Sequence, residues 1–356
     1  MYKVQATPEG STDMKPLLCS VFWVAFSLNF ALCTLHSAKL RSARTSFGMP
    51  TISRFHGNAA AAISLQFDDA MTTQLENALP LLNARKLKAT FFVITDSHQY
   101  RQHLRQWEVD VPKAGHDLGN HTAHHKGAKT LEELSREVDD CSDRLATVYG
   151  PAPRLTSFAI PGGVPWNVTH DQLDPILRKR HLVLAQHRNF FDEKTTDPIT
   201  FVQRAIQDGQ WSNVCMHGIG GEWLSTSVPT LTKLLDFLVA HRTDVWVAPE
   251  IEIYKYVQER DAASAPVLTS RNSRGFSIVV KCDPEKLAFT DRPIPVLYDQ
   301  PLTVEVSVPD SWKSYSVYRG RTKTAAGLPV DPNSHVIRLD VRPNDLRTRV
   351  AEGRND

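Results

Sequence analysis

From residue 57 onward, short apolar runs alternate with helical patterns, and this alternation limits the fold more than any other feature of the chain. Strand-like runs appear near 61–67, 89–95, 117–120, 155–159, 182–186, 213–216 and 245–248, with helical segments between them. The clearest helix opens on Thr130-Leu131-Glu132-Glu133, a capping box. It carries Leu131, Leu134, Val138, Cys141, Leu145 and Val148 along one face. Roughly seven β/α units suit a barrel better than an open sheet, although periodicity alone does not close one. After about residue 262 the pattern changes. Leu302, Val304, Val306 and Val308 alternate with Thr303, Glu305 and Ser307, and Ile337, Leu339 and Val341 alternate later. Strict alternation between Pro-rich turns predicts a small antiparallel β-sandwich. Its Trp312, Tyr315 and Tyr318 are either core or a sugar-stacking surface, and the polar stretch from Arg342 to Asp356 is expected to fray.

The chain has 356 residues and 41% hydrophobic content, enough for two domains. A net charge of +2 gives nucleic-acid binding no electrostatic support. At the N-terminus, Met14-Lys15-Pro16 precedes an apolar stretch from Leu17 to Leu35, and His36-Ser37-Ala38-Lys39 follows. This reads as an export signal or as a single membrane anchor, with the rest of the chain outside the cytoplasm. The expected divisions are an export segment and linker over 1–56, a catalytic domain over 57–261, a sandwich over 262–345 and a tail over 346–356. Cys19 and Cys33 lie in the apolar tract. The remaining Cys141, Cys215 and Cys282 are too few and too widely spaced for a disulfide framework, and are expected to be buried and inert.

Asp68-Asp69 ends the first apolar run and is answered by His121-Thr122-Ala123-His124-His125. Two imidazoles and one carboxylate hold a first-row divalent metal such as zinc and leave a position open for water. His121 and His125 are four apart, so one helical turn or a tight loop aims both rings at one point. Adjacent carboxylates crowd one metal, which leaves the second free to take a proton. The candidates also share a location. Asp68 and Asp69 follow the first run, His121 the third, Pro161 and its glycines the fourth, and His217 the sixth. All fall at strand C-termini, where parallel α/β sites gather.

Four segments in order, Ser64-Leu65-Gln66-Phe67-Asp68-Asp69, Gly115 to His125, Phe158-Ala159-Ile160-Pro161-Gly162-Gly163 and Val214-Cys215-Met216-His217, resemble the motifs of the polysaccharide deacetylase family. This is carbohydrate esterase family four, with the nodulation-type chitooligosaccharide deacetylase homology domain. Asp244 to Ile251, with Tyr254, resembles that family's closing strand and helix, so the likeness covers about 57–260. The resemblance implies a distorted seven-stranded (β/α) barrel and a divalent metal, Zn2+ foremost. It also implies Asp68 as catalytic base, Asp69, His121 and His125 as ligands, and His217 as the acid for the leaving group. His124 falls outside the family spacing. Gly162 is placed at the oxyanion by its backbone N–H, and Trp246 at the substrate. The implied activity is removal of acetyl groups from a polysaccharide, of N-acetylglucosamine type or else acetylxylan, as a hydrolase of non-peptide C–N bonds or of carboxylic esters. A carbohydrate-binding pseudoenzyme and an exported structural or adhesion protein are the alternatives. The chain departs from the family where Ala159 and Gly162 stand in place of an Arg and an aromatic. The fourth-motif Asp and Trp are unplaced among Asp192, Asp197, Asp208 and Trp211. Arg188, after the fifth run, is the candidate to replace the missing Arg.

Overall fold

The computed structural model describes residues 43–353, apart from 193, 195–196, 290, 292–293 and 345–346. The apolar tract read as an export signal or membrane anchor lies outside the described residues. Among the described residues no helix is long and apolar enough to cross a membrane.

A two-residue strand, β1 (Thr51–Ile52), precedes a curled parallel sheet. Its members are β2 (Ala61–Asp68), β3 (Ala89–Val93), β4 (Asp117–Asn120), β5 (Thr156–Phe158), β6 (Leu182–Leu184), β7 (Arg188–Phe190), β8 (Trp211–Met216) and β9 (Val245–Val247). All seven expected runs are strands, and β7 is an addition. The order is β6-β5-β4-β3-β2-β8-β7, with β9 also paired to β2. At eight residues, β2 is long enough to take β8 along Ala62–Phe67 on one edge. On the other edge it takes β9 beside Ala61–Ile63 and β3 beside Leu65–Asp68. β6 pairs with β5 and β7 with β8, and only Ala185–His187 separates them. One strand, broken where His187 adopts φ 52°, thus serves both ends of the curl. This is the distorted (β/α) barrel that the family resemblance implies.

Side chains on β2 point alternately to two faces. Ile63, Leu65 and Phe67 pack outward into the main core with Phe91, Val214 and the helix leucines Leu231, Leu234 and Leu238. Ala62, Ser64, Gln66 and Asp68 face the other side and are equally buried, which makes the barrel interior partly polar. The helix Leu131–Tyr149 is capped by Thr130, whose hydroxyl accepts the Glu133 N–H. The expected capping box is not closed, because the Glu133 carboxylate accepts the N–H of Lys129 instead. Leu131, expected on the apolar face, is exposed in the first turn, and the buried stripe is Leu134, Val138, Cys141 and Leu145.

The C-terminal region contains β10 (Val267–Asn272), β11 (Gly275–Val279), β12 (Leu302–Ser307), β13 (Ser314–Arg319), β14 (Thr322–Pro329), β15 (Val336–Val341) and β16 (Thr348–Glu352). Two antiparallel sheets, β1-β12-β15 and β10-β11-β16-β13-β14, enclose Val304, Val306, Leu339, Phe276, Ile278 and Val350. Two sequence-based expectations are corrected. Residues 348–352, assigned to a fraying tail, form the middle strand of the larger sheet, with Thr348 and Val350 buried. A five-residue strand carries too few apolar positions to stand out in a polar stretch. Residues 51–52, assigned to the linker, pair with Val304 and Glu305. Of the three aromatics considered for sugar stacking, Trp312 and Tyr315 are core. Tyr318 lies under Arg349, whose Cζ is 3.7 Å from the ring centroid. Barrel and sandwich are joined by Tyr256 on the helix Glu250–Ala262. Its ring enters the sandwich core while its hydroxyl donates to the Ser53 carbonyl at 2.9 Å. The three cysteines Cys141, Cys215 and Cys282 are free and buried, as expected.

Candidate metal centre and substrate groove

Asp68 ends β2, and the chain then turns sharply, with Asp69 at φ 78° and Ala70 at φ 54°. Left-handed backbone at two successive non-glycine residues is costly and is retained where it serves a site. Here it swings the Asp69 carboxylate over the strand end. Its Oδ1 lies 3.4 Å from His121 Nε2 and 3.6 Å from His125 Nε2. His121 follows β4, and its Nδ1 is 2.9 Å from the Ala159 carbonyl. A carbonyl only accepts, so Nδ1 carries the proton and Nε2 turns a lone pair toward Asp69. His125 arrives by a tight loop and not by a helical turn. Thr122 and His125 both have positive φ, the Thr122 hydroxyl accepts the His125 N–H, and Asn120 Oδ1 accepts the Thr122 N–H.

The ligand atoms of Asp69, His121 and His125 all lie within 4.8 Å of one another. Asp69 Oδ1 is buried without a hydrogen-bond donor. A buried carboxylate oxygen with no donor and two imidazole nitrogens facing it fits a divalent cation. Burial opposes ionisation of Asp69, but the neighbouring imidazoles, His121 foremost and then His217 and His125, hold its carboxyl below the usual range. Burial and His121 push His125 down. Both shifts favour the forms that bind metal, an ionised carboxylate and a neutral imidazole. His124 points away, with Nε2 2.9 Å from Asp96 and Nδ1 3.0 Å from Glu137.

Asp68 is 2% exposed. Its Oδ1 lies 2.5 Å from Arg188 Nη2, and its Oδ2 is 3.8 Å from His121 Nε2. Arg188 opens β7, the strand missing from the sequence pattern. His217 follows β8, and its ring stacks on Phe190 at 5.7 Å. All of these, with Gly162, line one groove of about 1000 Å³. A Cβ at Gly162 would meet nothing within 4 Å, so the space that an aromatic would fill at this motif position is open.

Trp246 is not part of this groove, contrary to expectation. It pairs with Ala62 at the start of β2 and packs against His56 and Tyr256. Six residues of strand separate that register from Asp68, roughly 20 Å along the barrel. Two other aromatics that the sequence did not single out line the groove, Phe190 at 50% exposure and Trp223 at 66%. Trp223 rides on a loop fixed by Gly218 N–H to Trp223 O, Gly220 N–H to Thr226 O and Thr226 N–H to Gly218 O. Its glycine-rich setting just after His217 was the available signal.

Gln66 and Glu250, also unanticipated, lie beneath the site in the barrel interior. Burial pushes the Glu250 carboxyl up to about 8, against an ordinary value of 4.5. The folded state therefore retains a proton that the unfolded chain releases. The stability this gives is fully present below the unfolded value and is lost as pH rises through the folded one. In thermal unfolding from about pH 5 to about pH 9, Glu250→Gln should flatten the decline in stability relative to the parent. Equal slopes would show that Glu250 does not titrate in this range.

Residues 57–174 match the family model described as polysaccharide deacetylase. Over that stretch, about a third of the chain, the protein is similar to polysaccharide deacetylases. The match contains Asp68, Asp69, His121, His125 and Gly162 and ends before Arg188 and His217. A gellan lyase of Bacillus sp. is 26% identical over 325 residues, which is 77% of this chain but only 12% of that much longer protein. A family 4 carbohydrate esterase from Streptomyces lividans, solved in complex with acetate, gives a TM-score of 0.41 at 18% identity. The alignment covers 54% of this chain and 93% of that one. A carbohydrate esterase family 4 pseudoenzyme from Bacillus anthracis gives 0.42 at 21% identity, over 56% and 67%.

Proposed function

We propose that this protein is a metal-dependent hydrolase that removes acetyl groups from an exported polysaccharide, an N-acetylglucosamine polymer before acetylxylan. The observation that carries the reading is one groove holding an ion-paired carboxylate, Asp68, beside a separate ligand trio, Asp69, His121 and His125. The trio would hold Zn2+, which supplies Lewis acidity toward the acetyl carbonyl and lowers the pKa of water. Asp68 takes the proton from the attacking water. The Gly162 N–H donates to the oxygen that becomes negative. His217 gives a proton to the departing sugar amine or hydroxyl. The barrel over 57–261 carries the reaction, and the sandwich, including 348–352, supports it. The N-terminal apolar tract is the basis for placing the work outside the cytoplasm.

The groove is open and has aromatic walls, which suits a polymer. Trp223, held on a pinned loop, would stack on a sugar ring next to the scissile acetyl group. Trp223→Ala should raise KM for an acetylated oligosaccharide on the order of tenfold, about 1.4 kcal/mol. A small acetyl ester that does not reach the loop should be cleaved as before. An equal loss on both substrates would remove Trp223 from substrate binding. The function is tested by acetate release from acetylated chitooligosaccharide, peptidoglycan and xylan, each with and without added zinc. Zinc-dependent release from one of them is the expected result. Bound zinc with no release from any would assign the groove to carbohydrate binding alone.

A further inference from the structure

Arg188 is gripped from below by buried groups that the proposed reaction does not use. Because β2 alternates, Gln66 lies one layer beneath Asp68 on the same face. Gln66 Oε1 accepts from Arg188 Nε at 2.9 Å and lies 3.0 Å from Cys215 Sγ. Gln66 Nε2 donates to Glu250 Oε2 at 2.8 Å. Glu250, 1% exposed, begins the helix Glu250–Ala262. Its Oε1 accepts the Gln186 N–H at 3.1 Å, and its own N–H donates to Thr90 Oγ1 at 2.9 Å. A guanidinium has no acceptor, so the Gln66 amide must turn its oxygen to Arg188, which leaves its nitrogen to donate to Glu250, whose carboxyl accepts whether protonated or ionised. Arg188 thus has Nε fixed by Gln66 and Nη2 on Asp68, with Phe92 and Phe190 near its two sides at 4.9 and 5.0 Å.

We infer that Gln66 and Glu250 are positioning residues that aim the Arg188 guanidinium at Asp68 Oδ1 and so fix the carboxylate's rotamer. This constraint comes from β7 and the barrel interior, whereas the third-motif position is Ala159 and has no charge to offer. The inference rests on the reading of Asp68 as the base. A planar guanidinium bound at two donors is held in angle as well as distance, which one ion pair alone does not achieve.

Gln66→Met keeps the side-chain volume and removes both polar ends. The expected result is a fall in kcat on the order of tenfold, with KM and metal content unchanged. In an Arg188→Ala background the same change should add less than about twofold, because the two residues act as one unit. A crystal structure of the Gln66 variant should show Arg188 Nη2 moved out of hydrogen-bond range of Asp68. Gln66→Asn is too short to span Arg188 and Glu250 together, and serves the same comparison if the Met variant does not fold. Independent, multiplying effects in the double variant, or an Arg188–Asp68 contact retained without Gln66, would overturn the inference. If the parent protein released no acetate, the proposed function would fail, and the crystallographic comparison would still decide the positioning role.

Discussion

Asp68→Asn should retain bound metal and lose about 10²- to 10⁴-fold in kcat, the range that one positioned proton acceptor supplies. The substitution is nearly isosteric, and the amide oxygen still accepts from Arg188 Nη2, now 2.5 Å from Oδ1, so the local packing is preserved. The proposed ligands Asp69, His121 and His125 keep their side chains, and Asp69 Oδ1 is nearer to His121 Nε2, at 3.4 Å, than Asp68 Oδ2 is, at 3.8 Å. What disappears is the capacity to take a proton. The measurement is a steady-state rate on an acetylated oligosaccharide alongside elemental analysis of the same preparation. A rate within about twofold of the parent would exclude Asp68 as base, and loss of metal would reassign it as a ligand.

Alanine at Asp69, His121 or His125 should have the opposite signature, in which metal is lost first and activity with it. His121 should show the largest effect. It is buried, its ring is oriented by the Ala159 carbonyl, and its Nε2 is the nearer of the two imidazole nitrogens to Asp69 Oδ1. Removing one of three protein ligands should weaken zinc binding by at least about a hundredfold, more than typical losses from the groups that merely orient ligands. The metal content of purified triple variant should fall from about one equivalent to background. A triple variant that kept its zinc would show that the cation binds elsewhere. The orienting acceptor for His121 is main chain, so Ala159 variants that fold should leave metal affinity unchanged.

The sequence alone determined the alternation of runs that gives the parallel barrel, the strand-end placement of Asp68, Asp69, His121 and His217, and the grouping of Asp69, His121 and His125, whose donor atoms the fold brings within 4.8 Å of one another. These were legible because they are local: a run, a pair, a four-residue interval. Arg188 was nominated from its position after a strand-like run, but the sequence could not say that its guanidinium meets Asp68, a residue 120 positions earlier. Gln66 was visible only as a polar interruption in an apolar run. Its meaning comes from Glu250, which packing brings to it from 184 residues away. Trp246 was misplaced because strand membership says nothing about height along a barrel; β9 meets β2 at its start, not its end. The strand Thr348–Glu352 was missed because five residues with two buried side chains do not make a periodicity. It exists because β11 and β13 each offer it an edge. Local chemistry is written in neighbouring residues. The direction of a buried charge and the pairing of a short strand are fixed only when distant segments close around them and exclude water.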